Sequence, residues 1–484
     1  IRPSAYRQTV AEAISELERN QVLSRWCDSS AQQACDIRDF DNPEGAILRD
    51  IRVVPFSRGE RQEDVFRSVC AVGGENGWFR YNFLWRIRGG MDKLFGGYGL
   101  SRGRRSNTDL RVGDALDFWK VVDHCYLCDL CFLTMCPYVP PHHWNIDFPH
   151  VMLRAKAVKF KEEGAKLRDR VLTSTDRVFG MASIPLVDVT VNAVNRSRGL
   201  RKLMESAVGL HHEAPVPQFH SKTMHKLVKP LVRQIEPVAV GDTTGKVALY
   251  ATSYGNYTTP DLGEDFVKVY QHNGIHIDVV DKEKCCGMPK LELGDLDAVN
   301  RLMEANIPVL AALVDQGYDL IAPIPSCVLM YKQELPLMYP DDPEVLKVQK
   351  AFFDPFEYLW LRHRGDALKT EFPNALGEVA YQVACHLRVQ NIGIKTRDVL
   401  NLVPDTEVIA QERCSGHDGT YAVKRETRDK SVKIARPVVR KVDAGNPRYF
   451  ASDCPMAANH IANLSEKVDV ATHPMTLLRV AYGL

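Results

Sequence analysis

The run "VVDHCYLCDLCFLTMCPYVPP" places Cys125, Cys128, Cys131 and Cys136 within twelve residues and follows the last with Pro137. A C-x2-C-x2-C spacing brings three thiolates onto one tight loop whose reach matches a single iron-sulfur cubane, and soft anionic sulfur is what iron in that form is held by best. Zinc sites usually come as two C-x2-4-C pairs a dozen or more residues apart, which is not this pattern. A 4Fe-4S cluster is therefore the expected occupant. The last gap, "FLTM", has four residues where the bacterial two-cluster pattern has three, and in that pattern the fourth cysteine serves a second cluster. Only one such run is present, and Cys27, Cys35 and Cys70 do not supply a second, so Cys136 has to close its own cluster.

Cys285 and Cys286 stand side by side before Gly287. Adjacent thiols do not readily bond each other, but both can face one inorganic core where the glycine lets the backbone turn closely around it. The plainer alternative is a pair of buried thiols acting as small hydrophobes at a strand end. Cys327, Cys385, Cys414 and Cys454 complete the set, and clustering of this kind in a long chain points to metal binding in a reducing compartment rather than to a disulfide framework.

The elements that must position these thiols are visible as a repeat. "VALYATSYGN", "EKCCGMP" and "IAPIPSC" answer to "VAYQVACHLR", "ERCSGHDG" and "YFASDCP", pairing Ser253 with Cys385, Cys285 with Cys414 and Cys327 with Cys454 at offsets of 127 to 132 residues. Such constancy predicts two homologous halves. From Lys246 onward short buried-strand patterns alternate with helices, the signature of an α/β layered fold, and each landmark falls at or just after a strand-like run. Strand ends of an open α/β sheet converge on one edge, where sites are built. Positions 150 to 235 read as mostly helical, "SAYRQTVAEAISELERNQ" as an amphipathic helix, and "DALDFWKVVD" as a strand.

Composition narrows the function classes. The chain has 484 residues, 45% of them apolar, and a net charge of +1, which fits folded, core-forming domains and gives no global bias toward nucleic acid. Its longest apolar stretch, "FGMASIPLVDVTV", holds thirteen residues including Asp188, short of the roughly 20 a spanning helix needs. No membrane span and no signal peptide are expected, although a start on Ile1 reads as a processed or partial one. "GGYGLSRGRR" lacks the G-x4-G-K-[ST] pattern of a phosphate loop and reads as a turn with a solvated basic loop. No Ser/His/Asp constellation, carboxylate pair or dinucleotide fingerprint supports an independent hydrolase or dehydrogenase.

With these motifs in place, residues 124–484 resemble the iron-sulfur proteins that carry cysteine-rich CCG domains: the anaerobic glycerol-3-phosphate dehydrogenase C subunits, the glycolate oxidase iron-sulfur subunits and the heterodisulfide reductase B and D subunits. The resemblance covers the ferredoxin-type run, both CCG halves and the closing "HPMTLLRVAYGL". It implies a one-electron relay between a flavin or disulfide partner and a quinone or other acceptor. The full family pattern in each half is one upstream Cys, a CC pair and then C-x2-C. Here the first half keeps Cys285, Cys286 and Cys327 but has Ser253 and Met330 at the other places, while the second keeps Cys385, Cys414 and Cys454 but has Ser415 and Ala457. Three thiols of five argue against a fused non-cubane cluster and for a three-cysteine cluster completed by Ser, His or an external ligand. His386, His417 and His460 lie near retained cysteines, where a hydrogen-bonding role is the commoner one; His142 and His143 with Trp144 read as a turn packed over the cluster.

Residues 43–122 resemble instead a START-like helix-grip domain of unknown function, cut off at Val122. Half of such a sheet would leave an unpaired edge, so "DFWKVVDHC" reads as the seam of a joined sequence, the rival being a fusion whose N-terminal segment docks on the ferredoxin-like part.

The expected architecture is mixed α/β: a partial α+β helix-grip-like segment over 1–122, a ferredoxin-like 4Fe-4S segment with helical surround over 123–235, and two pseudo-symmetric α/β CCG domains over 246–360 and 376–484. The expected metal-binding residues are Cys125, Cys128, Cys131, Cys136, Cys285, Cys286, Cys327, Cys385, Cys414 and Cys454. The expected function is an iron-sulfur electron-transfer subunit serving a redox partner protein such as a flavoprotein dehydrogenase, cytoplasmic with peripheral contact at the inner membrane, and no nucleic-acid partner. The alternatives are a heterodisulfide-reductase-like oxidoreductase and a non-redox scaffold with decayed metal sites.

Overall fold

The computed structural model describes residues 115–116, 119–120, 125–127, 147–417 and 419–484. Cys128, Cys131, Cys136, His142, His143, the N-terminal helix expected around Val10 and nearly all of the helix-grip-like segment lie outside the described residues. Strands β1 (Ala115–Leu116) and β2 (Trp119–Lys120) pair antiparallel, so "DALDFWKVVD" holds a tight hairpin where its alternation predicts one strand.

Among the described residues six α-helices lie between the cysteine run and the first parallel strand, the last of them the short Met224–Val228. Helix α1 (Phe148–Glu163) starts where the Asp147 side chain accepts the His150 backbone N–H at 3.2 Å, and it stops at Gly164, whose φ of 69° no helix interior tolerates. That glycine splits the long basic run in two, giving α2 (Leu167–Leu172), with α3 (Thr175–Ala182), α4 (Val187–Arg196) and α5 (Arg198–Val208) beyond it.

The remainder is built from two parallel sheets. In the first half β3 (Lys246–Leu249) leads to α6 (Ser253–Thr258) and α7 (Asp261–His272); β4 (His276–Val279) leads to α8 (Met288–Leu293) and α9 (Leu296–Asp315). Next come β5 (Asp319–Ile321), α10 (Pro325–Leu329) running into a π-helical turn (Met330–Glu334), α11 (Pro343–Ala351), β6 (Phe352–Phe353) and α12 (Pro355–Arg364). The second half repeats the plan with β7 (Gly377–Gln382), α13 (Cys385–Arg388), α14 (Lys395–Leu400), β8 (Thr406–Gln411), α15 (Arg425–Ala444), β9 (Tyr449–Ala451), α16 (Pro455–Ala462) and α17 (Pro474–Ala481).

Strand order is β4-β3-β5-β6 in one sheet and β8-β7-β9 in the other. In each, the first strand is central and the next two flank it, so the connections leave it in opposite directions and a crevice opens at its carboxyl end. The two halves are thus copies in topology as well as in motif. Even their longest helices match: α9 and α15 are each 20 residues long, with Pro308 and Pro437 at the same place inside them.

Both faces of each sheet are buried, as parallel sheets require. On β3 the alternation sends Val247 and Leu249 to one core and Ala248 to another, and on β7 it does the same with Val379 and Tyr381 against Ala380. The first core is common to both halves: Phe266 and Tyr270 of α7, Leu359 of α12, Val399 of α14 and Leu477 of α17 lie between the two sheets. Each such side chain contributes about 1.5–3 kcal/mol on burial, so the halves are held together by the same kind of layer that holds each one.

Candidate metal centre

The sequence sends every landmark to the same edge. Ser253, the Cys285–Cys286 pair and Cys327 follow β3, β4 and β5; Cys385, Cys414 and Cys454 follow β7, β8 and β9. Because the sheets face a common layer, these edges meet around one cavity of about 110 Å³, lined by Cys285, Cys286, Cys327, Cys385 and Cys454 together with Ser253, Ser415, His386 and His417. Sites for organic cofactors run to roughly 300–1,000 Å³. The space suits a compact inorganic core, and five thiols stand among its donors, with hydroxyls, two imidazoles and the Glu292 carboxylate beside them.

The loops are pinned from behind. Gly287 has a φ of 99° and Gly416 one of 71°, so the CCG turn and its CSG counterpart both use the left-handed region. A Cβ on Gly416 would lie 2.3 Å from the Ser431 carbonyl oxygen. Asn306 of α9 accepts the Lys284 N–H at 2.8 Å and donates to the Cys285 carbonyl at 3.1 Å; Ser431 of α15 donates to the Gly416 carbonyl at 2.7 Å. Tyr250, at the end of β3, donates to the Lys284 carbonyl.

Thr175 of α3 donates to the Cys285 sulfur at 3.3 Å, a contact across 110 residues for which the sequence holds no signal. The Cys285 thiol is pushed well above its ordinary range by its hydrogen bond with Cys286 and by burial. For Cys286 the bond with Cys285 works downward, but the bond with Cys327 and burial outweigh it and the thiol also ends well above that range. Burial pushes Cys454 up to about 11. Thiols so crowded and desolvated cannot ionise together alone; a metal core supplies the positive charge that deprotonates them. The donor set therefore fits a thiolate-bound cluster.

Two expected ligands stand apart. Cys414 does not line the cavity: its sulfur accepts the Gly416 N–H at 3.3 Å, because the tight CSG turn folds it back on its own loop. Cys125 is half-buried with its sulfur 3.9 Å from the Pro149 carbonyl, although the next residue, Tyr126, does line the cavity. Lys156 of α1 secures this junction by donating to the carbonyls of Cys125 and Glu292, the latter at 3.0 Å, with its ammonium 4.4 Å above the Tyr126 ring.

The three histidines separate by their bonding. His460 is held at both nitrogens, by Arg428 and by Ser431, each at 3.0 Å. His386 meets the Ser326 hydroxyl at 2.8 Å and the Tyr126 carbonyl at 3.2 Å. His417 is buried on the cavity wall, and neither of its ring nitrogens has a hydrogen-bond partner among the described residues. Burial, then the Arg428 charge, lowers its pKa to about 4. A separate group, Glu205, His211 and His212, brings three ligand atoms within 4.8 Å of one another, but its carboxylate is already taken up by the His212 ring at 2.5 Å.

A family model described as "Cysteine-rich domain" (CCG) matches residues 247–332 and again 379–462. The chain carries two CCG domains. They coincide with the two parallel sheets and hold every thiol on the cavity wall. A second model, "Protein of unknown function (DUF2867)", matches residues 43–181 and so runs beyond Val122, where the sequence resemblance stops, through the cysteine run and into α3.

Proteins similar to this chain include redox subunits by name. The chain is 27% identical over 343 residues to the C subunit of the anaerobic glycerol-3-phosphate dehydrogenase of Escherichia coli K12, covering 70% of this chain and 82% of that one. It is 27% identical over 268 residues to the B subunit of the fumarate reductase (CoM/CoB) of Methanothermobacter marburgensis, covering 53% and 51%. It is 25% identical over 235 residues to the lactate utilization protein A 2 of Bacillus mycoides, covering 46% and 95%.

Proposed function

We propose that this protein is an iron-sulfur electron-transfer subunit that relays electrons between a partner dehydrogenase or reductase and an acceptor. The observation that carries the reading is the single cavity at the strand ends of both CCG domains, walled by five thiols. When bound there, an iron-sulfur cluster would supply one-electron exchange with no bond-making of its own. The chain supplies the rest. Cys285, Cys286 and Cys327 present one wall, Cys385 and Cys454 the other, and the Thr175 hydroxyl donates to sulfur, which tunes reduction potential.

A second cluster belongs to Cys125, Cys128, Cys131 and Cys136. That run begins at the cavity rim, since Tyr126 lines the wall and takes a hydrogen bond from His386. Nearness of this kind supports passage of an electron from one centre to the other. The partner would be a flavoprotein dehydrogenase or similar subunit.

No single helix among the described residues is long and apolar enough to cross a membrane. Met181, Ile184, Leu186, Val189 and Leu203 are nevertheless exposed around α3 to α5, as are Arg196, Arg198 and Lys202 of the same stretch of chain. Exposed apolar and basic side chains on these short helices support peripheral contact with a membrane.

The deciding experiment is iron and acid-labile sulfide per chain on anaerobically purified protein, with electron paramagnetic resonance before and after dithionite. About eight irons with matching sulfide and a reducible cubane signal support the reading. Near-zero iron after reconstitution overturns it.

A further inference from the structure

The two CCG domains have lost different thiols, and the repeat shows what replaced one of them. Cys285, Cys286, Gly287 and Met288 answer to Cys414, Ser415, Gly416 and His417 at one constant offset. Where the first domain keeps the second thiol of the pair, it has a methionine two residues on. Where the second domain has exchanged that thiol for Ser415, it has an imidazole instead. Cys414, the thiol that remains, does not line the cavity, so the second domain offers it only Cys385 and Cys454.

The imidazole is placed as a ligand would be. Gly416 fixes the turn that delivers it, and the nearby Ser431 and Arg428 are engaged with His460 rather than with His417. His417 is 7% exposed, lies on the cavity wall, and has no bond to either nitrogen among the described residues. Leaving a buried polar group unsatisfied costs about 1–3 kcal/mol, and buried polar atoms in native proteins are nearly always paired. His386 and His460, equally close to retained cysteines in sequence, have spent their nitrogens on protein partners. A partner for the His417 ring has to come from the cavity side.

We infer that His417 binds the metal centre in this cavity through an imidazole nitrogen, taking the place of the thiolate lost at Ser415. The inference rests on the iron-sulfur reading given above. It makes the centre chemically asymmetric: thiolate-rich toward the first domain, with one neutral nitrogen toward the second. Replacing a thiolate by imidazole removes negative charge from the centre and raises its potential, as it does where histidines replace cysteines at other iron-sulfur sites.

The test uses the full chain, purified anaerobically and reconstituted with ferrous iron and sulfide, grown with ordinary or with 15N-labelled histidine. Pulsed paramagnetic resonance of the dithionite-reduced protein should show a strong nitrogen coupling that changes with the isotope. It should disappear in His417→Ala and His417→Cys and persist in His386→Ala. His417→Cys should keep wild-type iron, since a thiolate takes the nitrogen's place, and titrate at a more negative midpoint; His417→Ala, which leaves the five wall thiols, should lose the nitrogen coupling and hold iron less firmly against a chelator, with circular dichroism confirming that it is folded. A reducible centre at wild-type iron and sulfide with no histidine coupling overturns the inference and leaves the electron-transfer reading standing, as does a coupling that follows His386. Absence of iron and sulfide from the wild-type chain overturns both.

Discussion

Cys414 and Cys454 are both retained thiols of the second CCG domain, yet only Cys454 lines the cavity. Sequence spacing ranks them equally, because it records which residues follow a strand and not which way a tight turn sends their side chains. The geometry makes a difference that can be measured. Cys454→Ala should lower iron per chain by about one cluster, or about four atoms, whereas Cys414→Ala should leave it near the wild-type value, both read by metal analysis on reconstituted protein. Equal losses would show that the CSG turn rearranges around metal. The choice among His386, His417 and His460 was equally out of reach from the sequence, since it depends on the hydroxyls of Ser326 and Ser431, far along the chain.

At the scale of elements, the loops depend on two devices. Gly416 cannot take a side chain: its φ is 71° and a Cβ would strike the Ser431 carbonyl oxygen. Gly416→Ala should destabilise the protein by about 1–3 kcal/mol, seen as a lower urea midpoint, and should also reduce bound iron. The other device holds α1 against the first domain. His150 sits 2.9 Å from Glu334 of the π-helical turn and 2.7 Å from Asp147. Burial would lower its pKa, but hydrogen bonds with Asp147 and Glu334 raise it to about 10. This raised value means that the pair's stabilisation is complete below pH 6.5 and fades as pH climbs toward 10. His150→Ala, which strands the buried Glu334 carboxylate, should cost about 3 kcal/mol at pH 7 and remove that alkaline dependence.

The sequence carried much of this level. Apolar runs bounded by turns marked β3, β4, β5 and β7, and the repeat predicted two equivalent halves. The matched Pro308 and Pro437 were also there to be read, but proline inside a helix is a poor sign of one. "DALDFWKVVD" misled because alternation over ten residues does not reveal a reversal inside it.

For the whole molecule, two buried histidines contribute to the response to acid. His473 caps α17 of the second domain by accepting the Met475 N–H at 3.1 Å, while its other nitrogen meets the Pro323 carbonyl of the first domain at 3.2 Å. Burial lowers its pKa to about 4, and His460, buried likewise, falls to about 3. Below pH 6.5 the unfolded chain takes up protons that the folded one refuses. The contribution of each of these two histidines to stability should therefore be greatest above pH 6.5 and fall toward pH 4 by roughly 1.4 kcal/mol per pH unit, against the opposite contribution of the buried Asp354 and Asp453 carboxyls, which burial raises to about 8 and about 6. Urea unfolding of the metal-free protein at pH 7 and pH 5 measures the slope. His473→Asn, which preserves an acceptor for the cap, should reduce it by one proton's share; an unchanged slope would exclude His473 as a source. What the sequence could not show at this scale is that the halves converge on one cavity, because that depends on the common layer supplied by α7, α12, α14 and α17.

That layer also bears on ancestry. A lone half would expose the apolar face that now meets its sibling, so the single-repeat forebear is best understood as a homodimer related by a twofold axis, with the cavity on that axis. In such a dimer every substitution occurs twice, and exchanging one thiol for serine would have stripped both walls at once. Ser253 in one half and Ser415 in the other are differences that two copies can carry only once the gene has been duplicated, so the uneven thiols of the cavity belong to the duplicated form and not to a symmetric homodimer.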